Sequence, residues 1–93
     1  MYICKSNNSL ATGDFCEQGF IVYKGSKISD HTTKTFELNG YKVLRNRLID
    51  EGIISNGVFA SDYVFSSISA AACVVGGRMS SGLKDWKETV AME

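Results

Sequence analysis

Three cysteines, one histidine, a serine cluster and a basic tail with one tryptophan are the residues of this 93-residue chain whose chemistry could amount to an activity. A thiol nucleophile would need Cys4, Cys16 or Cys73 beside His31, with an acid or amide to orient the imidazole. His31 stands in a polar, threonine-rich run ending at Thr35, which reads as an exposed loop, and no spacing brings a cysteine to it. The cysteines form no C-x-x-C pair, and with a single histidine they match no zinc-ligand spacing. No metal or other cofactor is expected. Asp50-Glu51 and Asp62 would be an acid pair only by coincidence, since the end of a helix and the approach to a strand are usually solvated surface. Neither G-x-G-x-x-G nor G-x-x-x-x-G-K-[ST] occurs, and Gly25-Ser26 reads as a strand-ending turn. These residues carry no catalytic signature, so the chain is expected not to be an enzyme.

Two stretches are left that could bind something. Ser66, Ser67 and Ser69 lie where a helix begins, and free backbone N–H groups at a helix start either are capped by such hydroxyls or hold an anion. Arg78, Ser80, Ser81, Lys84, Trp86 and Lys87 form a basic, hydroxyl-rich tail. Its cations suit a phosphate backbone, and Trp86 is either a base-stacking residue or part of the core.

The elements that must position these residues follow from periodicity. Residues 2–5 form a short apolar run closed by the turn cluster Ser6-Asn7-Asn8-Ser9. Leu10 to Gly13 is a second short strand, with Gly13-Asp14 marking a turn, while Phe15 to Gln18 fits either state. Gly19 to Ser26 is the clearest strand, and its apolar run Phe20 to Tyr23 implies a central position with both faces partly covered. Lys27 to Ser29 extends as a further strand.

From Gly40 the period becomes helical. Tyr41, Leu44, Leu48 and Ile49 share one face, Asn39 is the N-cap and Gly52 the C′ residue, with Lys42, Arg45 and Arg47 facing away. Asn56-Gly57 joins residues 53–55 to 58–60 as a hairpin. Asp62 to Phe65 leads to a helix capped by Ser67 and stopped at Gly76-Gly77, and Ala70, Ala71 and Ala72 allow close packing on a sheet. In the tail, Leu83 and Trp86 fit a helical turn or an edge strand. The predicted fold is α+β: a small, mostly antiparallel sheet with two helices packed on it, in one domain spanning 1–93.

Composition narrows the class further. A hydrophobic share of 44% and a charged share of 22% are those of an ordinary globular protein, and the net charge is zero. A strongly electrostatic nucleic-acid binder is thereby disfavoured, yet the charge is uneven. Residues 1–49 carry seven Lys/Arg against four acids, and residues 50–93 carry three against six. No apolar run is long enough for a membrane span or a signal-peptide core, and the unpaired cysteine count fits reduced thiols in a cytoplasm.

Three ordered segments, Gly19 to Ser26, Leu44 to Ile54 and Asp62 to Ala72, followed by Gly77-Arg78 and Trp86-Lys87, resemble a bacterial domain of unknown function. That domain is often appended to GIY-YIG nuclease domains and to restriction–modification proteins. Residues 66–87 are also similar to the RAMA domain, thought to recognise DNA. The family usually has proline where Ile68 stands, and Asn-Gly-Trp where this chain has Ser81-Gly82-Leu83, so only Trp86 of its two tryptophans is present. The resemblance implies a non-catalytic accessory domain associated with a nuclease or methyltransferase and contacting DNA. Ser66, Ser67, Arg78, Lys84, Trp86 and Lys87 are the candidate contact residues. A domain that docks on a catalytic protein partner is the alternative.

Overall fold

The computed structural model describes residues 1–89, so the last four residues of the expected 1–93 domain lie outside the described residues. The chain forms β1 (Tyr2–Cys4), β2 (Ala11–Cys16), β3 (Gly19–Val22), α1 (Lys34–Glu37), α2 (Gly40–Asp50), β4 (Ile54–Ser55), β5 (Val58–Phe59), β6 (Tyr63–Phe65), α3 (Ile68–Gly76) and β7 (Trp86–Glu88). Five strands make one sheet in the order β6-β3-β2-β1-β7, every neighbouring pair antiparallel. The expected hairpin is the separate β4–β5 pair, and both its turn residues, Asn56 and Gly57, have the positive φ that such a two-residue turn requires. The α+β class expected from the sequence is the observed one.

α3 is the centre of the molecule. Every residue from Ala70 to Gly76 is buried, because the helix is enclosed by the sheet, by α2 and by the two short 3₁₀ turns at Ser6–Asn8 and Gly82–Lys84. A helix covered on all sides has no polar stripe, and Ala, Cys, Val and Gly keep its neighbours close. Ser67 Oγ accepts the Ala70 N–H at 3.0 Å, and Gly77 ends the helix in the left-handed conformation, φ 63°. Against α3 the sheet presents Cys4, Ala11, Phe20, Val22, Phe65 and Trp86. The Phe20 and Trp86 rings meet at a tilt of 54° with centroids 4.7 Å apart, an aromatic contact worth about 0.5–1.5 kcal/mol beyond area burial.

Several local expectations are corrected. Gly13-Asp14 is not a turn: β2 runs through it, Gly13 pairing with both Tyr2 and Val22. The glycine is there for space, since a Cβ would collide with the Ile21 carbonyl oxygen and lie 2.6 Å from the Phe20 ring. Lys27 to Ser29 makes only isolated bridges from Lys27 to Leu10 and Val58. The polar loop at His31–Thr35 turns into α1, where Thr33 Oγ1 caps Phe36 N–H and Phe36 itself is fully buried.

Arg45, finally, does not face solvent. The inward face of α2 is made by the half-buried Tyr41 and Leu44 and the buried Arg45 and Leu48, with Arg45 6% exposed. Ile49, expected on that face, turns out to solvent at 44% exposure. Arg45 Nη2 donates to the Ser29 carbonyl, its guanidinium lies 5.8 Å over the Phe36 ring, and its Nη1 abuts Gly77 at the C-terminal end of α3. Burial pushes its pKa down, only partly offset by Glu37, while the negative end of the α3 dipole favours the cation.

Candidate functional site

The described residues enclose a groove of about 520 Å³ along the β1–β7 pair. Its sides come from opposite ends of the sequence. Ile3, Lys5, Ser6 and Asn7 line one side; Arg78 and the segment from Lys84 to Thr89, Trp86 excepted, line the other. The β1–β7 register explains the juxtaposition, with Ile3 opposite Lys87 and Cys4 opposite Trp86. Side chains alternate across a strand, so the Cys4–Trp86 pair enters the core and leaves Ile3 and Lys87 on the outer face.

Two turns close the end of this groove. Asn7 adopts a left-handed conformation, φ 54°, and its Nδ2 donates to the carbonyls of Gly76 at 2.9 Å and His31 at 3.2 Å. Arg78 Nη1 donates to Ser6 Oγ at 3.1 Å and to the Asp85 carboxylate at 3.4 Å. One guanidinium thus ties the first turn to the last across 72 residues of sequence. The Asp85 side chain is nearly buried, at 9% exposure, and Arg78 supplies the compensating charge.

The balance of charge in the groove is positive. Lys5, Arg78, Lys84 and Lys87 line the groove together with two acids, Asp85 and Glu88, of which Asp85 is already paired. Among the described residues Lys5, Lys84 and Lys87 make no ion pair, and all three are exposed. Such a concave surface with unpaired cations concentrates anions.

Of the residues singled out in the sequence, the structure brings Arg78, Lys84 and Lys87 together here. Ser66 and Ser67 lie elsewhere. Ser67 Oγ is committed to the Ala70 cap, and Gly82 packs directly on the Ile68–Ser69 backbone, so the start of α3 is covered rather than presented. Trp86 is 2% exposed and packed on Phe20; the core reading holds, and the ring has no free face on which a base could stack. Lys5, Ser6, Asn7 and Asp85 complete the groove without having been selected from the sequence. Only the αL tolerance of asparagine in the Ser6–Ser9 turn cluster hinted at a special position there.

The remaining chemistry-bearing groups are dispersed. Cys4 and Cys73 are buried, which pushes both thiols up from their ordinary pKa, and Cys16 is half-buried; all three are free. His31 Nδ1 lies 2.7 Å from Asp30 Oδ1 on the surface, and this contact lowers the Asp30 pKa. No group of three or more His, Cys, Asp or Glu among the described residues is arranged to hold a metal. No described helix is long and apolar enough to cross a membrane.

A family model described as a domain of unknown function (DUF4357) matches residues 2–92. The chain belongs to this family. No curated protein and no solved structure matched it. Membership agrees with the resemblance seen in the sequence as far as a domain of unknown function. For this DUF4357 chain the groove between Lys5 and Lys87 is the candidate site.

Proposed function

We propose that the chain is a non-catalytic accessory domain that contacts DNA, working beside a nuclease or methyltransferase of a restriction–modification type system in the bacterial cytoplasm. One observation carries the reading: Lys5, Arg78, Lys84 and Lys87 converge on one concave surface in a protein of zero net charge. Contacts of this kind go to phosphates, fix position and carry no sequence information themselves. The Arg78 guanidinium, held by Ser6 and Asp85, shapes the end of the groove, and the three lysines supply mobile charge.

A second reading has its own support. Leu38, between α1 and α2, is 86% exposed, and Val43 of α2 is 70% exposed; apolar side chains so open to solvent suit docking on a catalytic protein partner. The experiment is a fluorescence anisotropy titration with labelled DNA, single-stranded and duplex, methylated and unmethylated, at low salt. Binding in the micromolar range that weakens as salt rises supports the DNA reading. No salt-dependent binding of any form at tens of micromolar protein defeats it and leaves the docking reading, because phosphate contacts release counterions and must respond to salt.

A further inference from the structure

Resting on the proposed DNA contact, we infer that the groove takes a single nucleic-acid strand, led by its phosphates, and not the side of a duplex. The first argument is shape. At about 520 Å³ the site falls within the roughly 300–1,000 Å³ of clefts that enclose small ligands, so it admits a sugar–phosphate unit or two. A duplex carries its phosphates on a convex cylinder, and it would touch only lysines at the rim, leaving the interior empty.

The lining gives the second argument. Among the described residues that line the groove, Ile3 is the only large apolar side chain, and no aromatic ring is exposed there because Trp86 is turned into the core. Stacking platforms add affinity to single-strand sites without reading sequence; this one offers charge with almost no stacking surface and no group placed to read a base edge, so its affinity comes from phosphate contacts and is modest. Binding is therefore phosphate-led and nearly indifferent to base. An extended polypeptide is a poorer occupant. β7 is an edge strand only three residues long with Lys87 and Glu88 exposed, features that blunt strand addition.

Glu88 distinguishes a ligand-facing groove from a merely structural one. Glu88 is among the lining residues, but it follows Lys87 on β7 and so shares the strand face of Trp86. Its charge acts on a bound phosphate through space, so Glu88→Gln should tighten a polyanion, whereas a role in folding would not predict a gain. With about three lysine–phosphate contacts the salt slope for a single strand is near −2, which weakens binding roughly 20-fold between 50 and 200 mM salt.

The test is fluorescence anisotropy with a labelled dT 12-mer, a dA 12-mer and a hairpin duplex of the same number of nucleotides, with inorganic phosphate and a mononucleotide as competitors. The full chain is used, alongside the surface variants Lys84→Ala/Lys87→Ala and Glu88→Gln, each checked for an unchanged melting temperature. The expected result is similar binding of both single strands, the duplex at least 10-fold weaker, a loss of about 10-fold in the double lysine variant and a gain of a few-fold in Glu88→Gln. A duplex bound as tightly as the single strands overturns this inference but leaves the DNA contact standing. Displacement by micromolar mononucleotide overturns it in favour of a small-ligand site. Absence of binding by every oligonucleotide overturns both.

Discussion

Replacing Gly82 with alanine should destabilise the protein by about 2 kcal/mol, although the glycine sits in a 3₁₀ turn of only three residues in the tail. Gly82 is buried, and a Cβ there would lie 2.5 Å from the Ile68 carbonyl carbon, 2.6 Å from its oxygen and 2.7 Å from the Ser69 nitrogen. All three atoms belong to the backbone at the start of α3, so no flexible side chain can yield. Overpacking of this kind costs typically ~1–3 kcal/mol, and rigid neighbours place it at the upper end. Alanine reduces the entropy of the unfolded chain, which offsets about 0.4–1 kcal/mol. Gly82 does not have a positive φ, so no backbone strain adds to the clash.

The net of about 2 kcal/mol corresponds to a fall in melting temperature of roughly 10 °C for a domain of this size. Gly40→Ala is the control. It opens α2 with nothing within 4 Å of its Cβ position, and alanine there should raise stability by about 0.5 kcal/mol. Thermal unfolding followed by circular dichroism measures both. A Gly82→Ala variant melting within about 2 °C of the parent would show that the turn does not press on α3, and the reasoning would fail.

Ser67→Ala removes the side-chain cap on Ala70 N–H and should cost about 1 kcal/mol in urea unfolding, with no loss of DNA binding, since Ser67 lies outside the groove. In an Ellman titration of the native protein Cys16 should react first; Cys4 and Cys73, buried and with raised pKa, should react only as the protein opens. Glu37 has its pKa lowered by its hydrogen bond to Lys42, helped by Thr32. A depressed carboxyl pKa stabilises the folded state above the unfolded value, ordinarily 4.5, and that contribution disappears as pH falls through the folded value. Both partners are well exposed, so the effect is small: Glu37→Gln should flatten the acid limb of stability against pH, and an unchanged limb would exclude the pair.

Local signals were legible where neighbouring residues decide the conformation. The Asn39 cap, the Asn56-Gly57 turn, the Ser67 cap and the Gly77 stop are each read from a few residues, and each stands in the structure. Gly13 misled because a glycine needed for space looks the same in sequence as one needed for a turn; only the Ile21 carbonyl and the Phe20 ring on the neighbouring strand tell them apart. Arg45 misled because its charge argues for solvent, while its position on α2 places it against Phe36 and the end of α3.

By itself the sequence determined the α+β class, the capped and alanine-rich central helix, and the basic character of Arg78, Lys84 and Lys87. Short-range hydrogen bonding and periodicity suffice for these. The tertiary structure alone decided that β1 pairs with β7, that Trp86 enters the core while Lys87 leaves it, and that Lys5 and Asn7 join the tail in one groove. The reason is register: a pairing between residues more than 80 positions apart depends on how the whole sheet closes around α3, and a shift of one residue would exchange Trp86 and Lys87 between core and surface.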